Sequence, residues 1–188
     1  MKRNNCIFKK ALGIILVLAV CISLAGNSSV SRAASGYKIK VNKQKNCVTI
    51  YKMNANGKYK PVKAMVCSTG AATPVGTFPL GEKMRWHTLI GPCYGQYCTR
   101  IHGGILFHSV WYYKPSPSTL SSEAYNRLGT TASHGCVRLT VADAKWIYDN
   151  VPSGSPVTVY NSSKPGPLGK PSGIRLPSSS RWDPTDVW

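Results

Sequence analysis

Ser133-His134-Gly135-Cys136-Val137-Arg138-Leu139 is the stretch that decides the reading of this chain. It sets a cysteine in a Gly-Cys step, behind a histidine and ahead of an apolar–arginine pair. A thiol attacks carbonyls as thiolate, and a nearby imidazole favours that form. Gly135 removes the side chain beside the sulfur, so backbone N–H groups can approach a reacting carbonyl. A second histidine, His108, lies upstream in Ile105-Leu106-Phe107-His108-Ser109. Together the two segments offer a nucleophile, a base and the donors of an oxyanion hole.

The surrounding sequence is strand-like. Tyr37-Lys38-Ile39-Lys40-Val41 alternates polar and apolar residues, the period of a half-buried strand. Strands are expected over 46–52 and 61–68, around a turn at Asn54-Ala55-Asn56-Gly57. Thr73-Pro74-Val75-Gly76-Thr77 reads as a tight turn before a strand near Phe78. A hairpin turning at Gly103-Gly104 places His108 at a strand end. Trp111 to Pro117 reads as a loop, and 122–128 as a short helix. Thr140 is the expected N-cap of a helix running to about Asn150, with Ala144, Ile147 and Tyr148 facing the core. Pro156 to Tyr160 closes the domain as a strand. Beyond Asn161, Pro, Gly and Ser dominate, and a flexible tail over 161–188 is expected, with Trp182 and Trp188 available to dock on the domain. One mainly β domain over 36–160, with one or two short helices, follows.

Lys2, Arg3, Lys9 and Lys10 precede an uncharged, mostly apolar run of 16 residues, Ala11 to Gly26, and then small residues to Ala33. This is the layout of a secretory signal peptide over 1–33, shorter than the roughly 20 residues of a spanning helix. If the leader is not cleaved, it would serve as a membrane tether. Five of the net +18 charges lie in this segment (Lys2, Arg3, Lys9, Lys10, Arg32), leaving +13 on the mature chain. An exported cation of that size fits an anionic cell wall and not nucleic acid.

Cys47, Cys67, Cys93, Cys98 and Cys136 follow the leader, an odd count that leaves Cys136 as the free thiol. Cys93 and Cys98 flank an apparent loop, Tyr94 to Tyr97, which a disulfide would close. The other pair rests on register. Matching apolar faces sets Val48 opposite Val66 and Ile50 opposite Ala64, and brings Cys47 opposite Cys67. A two-residue Asn56-Gly57 turn gives a register one step away, with Ile50 opposite Lys63. The apolar match favours the first, and with it disulfides Cys47–Cys67 and Cys93–Cys98.

From Tyr37 to Tyr160 the chain resembles the L,D-transpeptidase catalytic domains of the YkuD family, bacterial enzymes that cross-link peptidoglycan. The resemblance rests on Ser68-Thr69-Gly70, Thr73-Pro74-Val75-Gly76, Phe107-His108-Ser109 and Ser133 to Arg138. It implies a β-sandwich or barrel domain, secreted to the cell wall and acting on peptidoglycan stem peptides without cofactor or metal. Cys136 matches the nucleophile and His108 its general acid/base. Ser109 matches the residue whose carbonyl orients the imidazole, while His134 and Gly135 surround the oxyanion hole. Arg138 stands where many members have asparagine; it either binds a stem-peptide carboxylate or braces the loop. The implied reaction forms 3→3 cross-links through a Cys136 thioester with release of terminal D-Ala, and implies acylation of Cys136 by carbapenems. Water as acceptor would make it an L,D-carboxypeptidase.

Two readings from other classes compete. His102, His108, His134 and Cys136 are of zinc-ligand type, but their spacings match no familiar zinc module. A non-catalytic wall-binding module would suit the charge and aromatics, and leaves the cysteine–histidine constellation without a purpose.

Overall fold

The structure, a computed structural model, describes residues 36–187. The expected leader and Trp188 lie outside them. Among the described residues nine strands form two sheets. The first holds β1 (Tyr37–Asn42), β2 (Cys47–Met53), β3 (Tyr59–Val66), β4 (Gly76–Pro79) and β9 (Pro156–Tyr160), in the order β3-β2-β1-β9-β4. The second holds β5 (Lys83–Leu89), β6 (Cys93–His102), β7 (Ile105–Ser109) and β8 (Val137–Leu139), in that order. β1 pairs in parallel with β9, Ile39 beside Val157, so the two ends of the domain meet inside one sheet.

The alternation read in the sequence is the core. Ile39, Val41, Val48, Ile50 and Met65 from the first sheet are fully buried with Phe107, Val137 and Leu139 from the second. Burial of such side chains contributes roughly 1.5–3 kcal/mol each. Of the two helices, α1 (Ser122–Tyr125) is a single turn. The longer α2 (Val141–Asn150) begins as expected at Thr140, whose hydroxyl accepts from Asp143 N–H at 3.2 Å. It packs on β6 and β7 through Ala144 and Ile147, with Tyr148 half-buried against the core.

The expected β2–β3 register is corrected. Cys47 pairs with Val66, Val48 with Met65 and Ile50 with Lys63, and a bulge follows between Ile50 and Tyr51. Apolar matching chose the wrong face of β3. The inward face carries Lys63, whose ammonium lies 3.0 Å from the Asp143 carboxylate of α2, while Val62 on the other face is 48% exposed. An ion pair at the sheet margin thus takes a place that hydrophobic patterning reserves for an apolar residue.

Both expected disulfides are corrected with it. All five described cysteines are free. Cys47 now lies on the outer face, its thiol 3.4 Å from Gly169 O, while Cys67 is in the core. Cys93 and Cys98 do not flank a loop; they lie in one strand, β6.

The tail is also corrected. Residues 161–187 hold no helix or strand, yet they pack closely along the domain. Asn42 Nδ2 donates to Ser162 O and Lys164 O, and Asn126 Nδ2 donates to Leu176 O. Docking is completed by aspartates, with Trp182 46% exposed. Asp183, fully buried, accepts from Val141 N–H at 2.9 Å, and Thr185 Oγ1 accepts from Ala142 N–H at 3.1 Å. These are first-turn donors of α2, which no residue inside a helix can satisfy, and the carboxylate also complements the helix dipole. Asp186 accepts from Gln96 Nε2 at 2.9 Å. Asp183→Ala is therefore expected to lower stability by about 1–3 kcal/mol, through an orphaned buried donor, and Asp183→Asn by less. Urea unfolding of both variants measures this, and an unshifted midpoint for the alanine variant contradicts the capping role.

Candidate active site

The parallel pairing of β7 with β8 builds the site. Phe107 lies beside Val137 and His108 beside Arg138, so the loop ending in Cys136 runs next to the strand that ends in His108 and Ser109. A cavity of about 380 Å³ opens there, lined among others by His87, Cys93, His108, His134, Cys136 and Arg138. The two histidine and cysteine segments singled out in the sequence thus converge.

His108 is buried, and its Nδ1 lies 2.5 Å from Ser109 O. A carbonyl only accepts, so Nδ1 carries the proton and the Nε2 lone pair is left as a base. Gly95 makes the ring's position possible: a Cβ there would fall 3.0 Å from His108 Nδ1 and 3.1 Å from its Cβ. Ser109 is itself held, since its hydroxyl accepts from Gln96 N–H at 2.9 Å. Burial, aided by the Arg138 charge, pushes the imidazole down to about 3, against the Ser109 contact. Burial pushes the Cys136 thiol up, against a backbone contact at Leu106 and the charges of Arg138 and Arg100.

Both shifts favour the uncharged forms. At neutral pH the resting pair is thiol and imidazole, and the proton moves only as attack occurs. Alkylation of Cys136 by iodoacetamide is expected to rise about tenfold per pH unit up to at least pH 9, as thiolate is formed. A rate already level from pH 6 would reveal a preformed thiolate–imidazolium pair instead.

The loop that carries Cys136 is braced from within. Ser133 Oγ accepts from Gly135 N–H at 3.1 Å and donates to Cys136 O at 2.6 Å. Gly135 therefore has its N–H engaged, whereas no described residue accepts from Cys136 N–H. His134 is exposed at the cavity rim. Arg138 serves as a brace through Nη1, which donates to Ala132 O at 2.8 Å. Its Nε is buried without a partner, and no carboxylate pairs with it among the described residues. A guanidinium with spare donors and no counter-ion among the described residues, facing a cavity beside the Cys136 thiol, is suited to an anionic group.

His102 lies elsewhere, stacked on Phe78 at 4.6 Å. Among the described residues no three His, Cys, Asp or Glu side chains are grouped to hold a metal ion. Sequence reasoning missed the segment that holds the loop from behind. Thr69 O accepts from Ala132 and Ser133 N–H, and Gly70 bridges to Ser133 so closely that a Cβ would fall 2.3 Å from Ser133 O. The Thr-Pro-Val-Gly turn signalled a bend, and nothing in its spacing signalled what the bend touches.

Residues 36–159 match the model of the L,D-transpeptidase catalytic domain, YkuD, and the chain belongs to that family. A putative L,D-transpeptidase, YciB, of Bacillus subtilis (strain 168) is 44% identical over 92 residues, covering 47% of this chain and 46% of that protein. The chain thus spans about half the length of this curated relative. Among solved structures, an L,D-transpeptidase from Mycobacterium tuberculosis H37Rv is 26% identical with a TM-score of 0.51, covering 68% of this chain and 58% of that one. A fused Zn-dependent amidase/peptidase/peptidoglycan-binding domain-containing protein from Clostridium acetobutylicum ATCC 824 is also 26% identical at a TM-score of 0.51, over 66% and 52%. The mainly β fold expected from the sequence, here built as two sheets, is the fold of this family, and the chain carries an L,D-transpeptidase catalytic domain.

Proposed function

We propose that this chain is an exported bacterial cysteine L,D-transpeptidase that forms 3→3 peptidoglycan cross-links. The observation that carries the reading is the convergence on one cavity of Cys136, a His108 with Nε2 free to act as base, and an Arg138 with no counter-ion. Cys136 Sγ attacks the carbonyl between the third stem residue and the terminal D-Ala of a donor tetrapeptide, and His108 Nε2 takes the thiol proton. The Cys136 N–H stabilises the tetrahedral oxyanion, an interaction typically worth about 2.7–4 kcal/mol of barrier. As the C–N bond breaks, His108 returns the proton to the leaving amine of D-Ala, and a thioester remains. The amine of a second stem attacks that thioester, His108 takes its proton, and the cross-linked amide forms as the Cys136 thiol is restored. Arg138 holds a carboxylate of the stem peptide. The basic surface keeps the domain on the anionic wall, after leader cleavage or with the leader as tether.

Incubation with purified disaccharide-tetrapeptide, with products read by mass spectrometry, tests this. A dimer lacking one D-Ala is expected. A tripeptide alone means that water is the acceptor and the chain is an L,D-carboxypeptidase. No product from folded, reduced protein overturns the substrate assignment.

A further inference from the structure

We propose that Thr73 is a positioning residue that aims the oxyanion-binding peptide of the nucleophile loop; the role rests on the acyl-transfer reading above. Thr73 is 2% exposed and its hydroxyl is engaged twice. It accepts from Gly70 N–H at 2.8 Å and donates to the Gly135 carbonyl at 2.7 Å. The peptide joining Gly135 to Cys136 is trans, so its carbonyl and its N–H point in opposite directions. Anchoring Gly135 O to Thr73 therefore fixes the direction of Cys136 N–H, away from Thr73. That N–H has no acceptor among the described residues. It also belongs to Cys136 itself, the residue whose sulfur bonds the reacting carbon.

The anchor is itself fixed. Thr73 N–H donates to Gly70 O at 3.1 Å, and Lys43 Nζ donates to the carbonyls of Ala71 and Thr73 at 2.8 Å each. Gly70 is pressed against the backbone of 133–135, where a Cβ would lie 2.3 to 2.8 Å from Ser133 O, Gly135 N and His134 C. Gly135 has the widest backbone freedom of any residue type, and Thr73 adds a restraint from outside the loop to the Ser133 brace within it. Oxyanion donors act by being aimed before the charge develops, so a peptide left free to rotate forfeits part of their effect.

Thr73→Val keeps shape and loses both hydrogen bonds; Thr73→Ser keeps the hydroxyl. Three rates separate the explanations: acylation of Cys136 by imipenem, turnover of disaccharide-tetrapeptide, and alkylation of Cys136 by iodoacetamide. Alkylation is a displacement at saturated carbon, in which no oxyanion forms. Thr73→Val is expected to slow acylation and kcat by about 10- to 100-fold, at or below the ~10²–10³-fold cost of deleting an oxyanion donor outright. KM and alkylation stay near wild type, and Thr73→Ser restores acylation. Wild-type acylation in Thr73→Val overturns the proposal. So does an equal fall in acylation and alkylation, which would mean general damage to the loop. Wild-type protein that is alkylated at Cys136 but acylated by neither imipenem nor tetrapeptide overturns the acyl-transfer reading itself, and this role with it.

Discussion

Cys136→Ala is expected to abolish turnover of disaccharide-tetrapeptide, by at least about 10⁴-fold, the range seen when a covalent nucleophile is removed. The fold should survive. The Cys136 side chain is half-buried, its thiol touches only backbone polar groups, at Leu106 and, at 3.7 Å, Gly104 O among the described residues, and the loop's bracing runs through Ser133 and Thr73. Unfolding free energies within about 0.5 kcal/mol of wild type, the usual range away from core and capping positions, are expected from denaturant titration. Mass spectrometry gives the second readout: the variant carries no acyl adduct after exposure to donor. Turnover at a normal rate by the alanine variant would remove Cys136 from the mechanism and leave the wall-binding and zinc readings to be tested.

His108→Ala is the next largest effect. Loss of a general acid/base costs typically 10²–10⁴-fold, and the effect should fall on acylation. The substitution also changes how the protein responds to acid. His108 is held neutral down to about pH 3, whereas an unfolded imidazole protonates near 6.5. Between those values the unfolded chain binds more protons than the folded one, so stability falls as pH drops from about 6.5 toward 3 and is unaffected above. His108→Ala removes this contribution. Its unfolding free energy should be lower than wild type at pH 7, because a buried ring is lost, and should decline less steeply between pH 6 and pH 4. Parallel pH profiles for the two proteins would show that His108 is not the buried neutral group. A mild effect on acylation would shift the base role to His134.

Much of the fold was legible because its signals are local. The alternation in Tyr37 to Val41, the paired glycines after His102, and Thr140 ahead of a helix each describe a few consecutive residues, and each falls where expected. Cys136 and His108 stood out as candidates because they occur in short motifs, and Ser109 through the family resemblance those motifs carry; the structure brings the His108 and Cys136 segments to one cavity. What stayed hidden depends on partners distant in sequence. The β2–β3 register sets Met65 beside Val48 in the core and leaves Lys63 to meet Asp143, 80 residues away, which the alternation in β3 does not announce. Cys93 and Cys98 read as loop residues because Tyr94-Gly95-Gln96-Tyr97 has turn-like composition. Yet Gly95 is there to admit the His108 ring, and the kink falls on Tyr97, at φ 48°. The tail read as flexible because composition cannot report that Asp183 meets the start of α2.

That tail bears on the order in which the molecule can assemble. Asp183 meets Val141 from 42 residues further along, and Asp186 meets Gln96, beside Ser109, from 90 residues further along. Residues 156–160 must also arrive before β1 gains its parallel neighbour. Contacts this distant close slowly, because long loops lose much entropy before any contact rewards it. A chain appearing from its N-terminus holds Cys136 and His108 long before it holds the residues that finish the helix start and steady the strand behind Ser109. Cys136 and His108 are made early, and their support is made last.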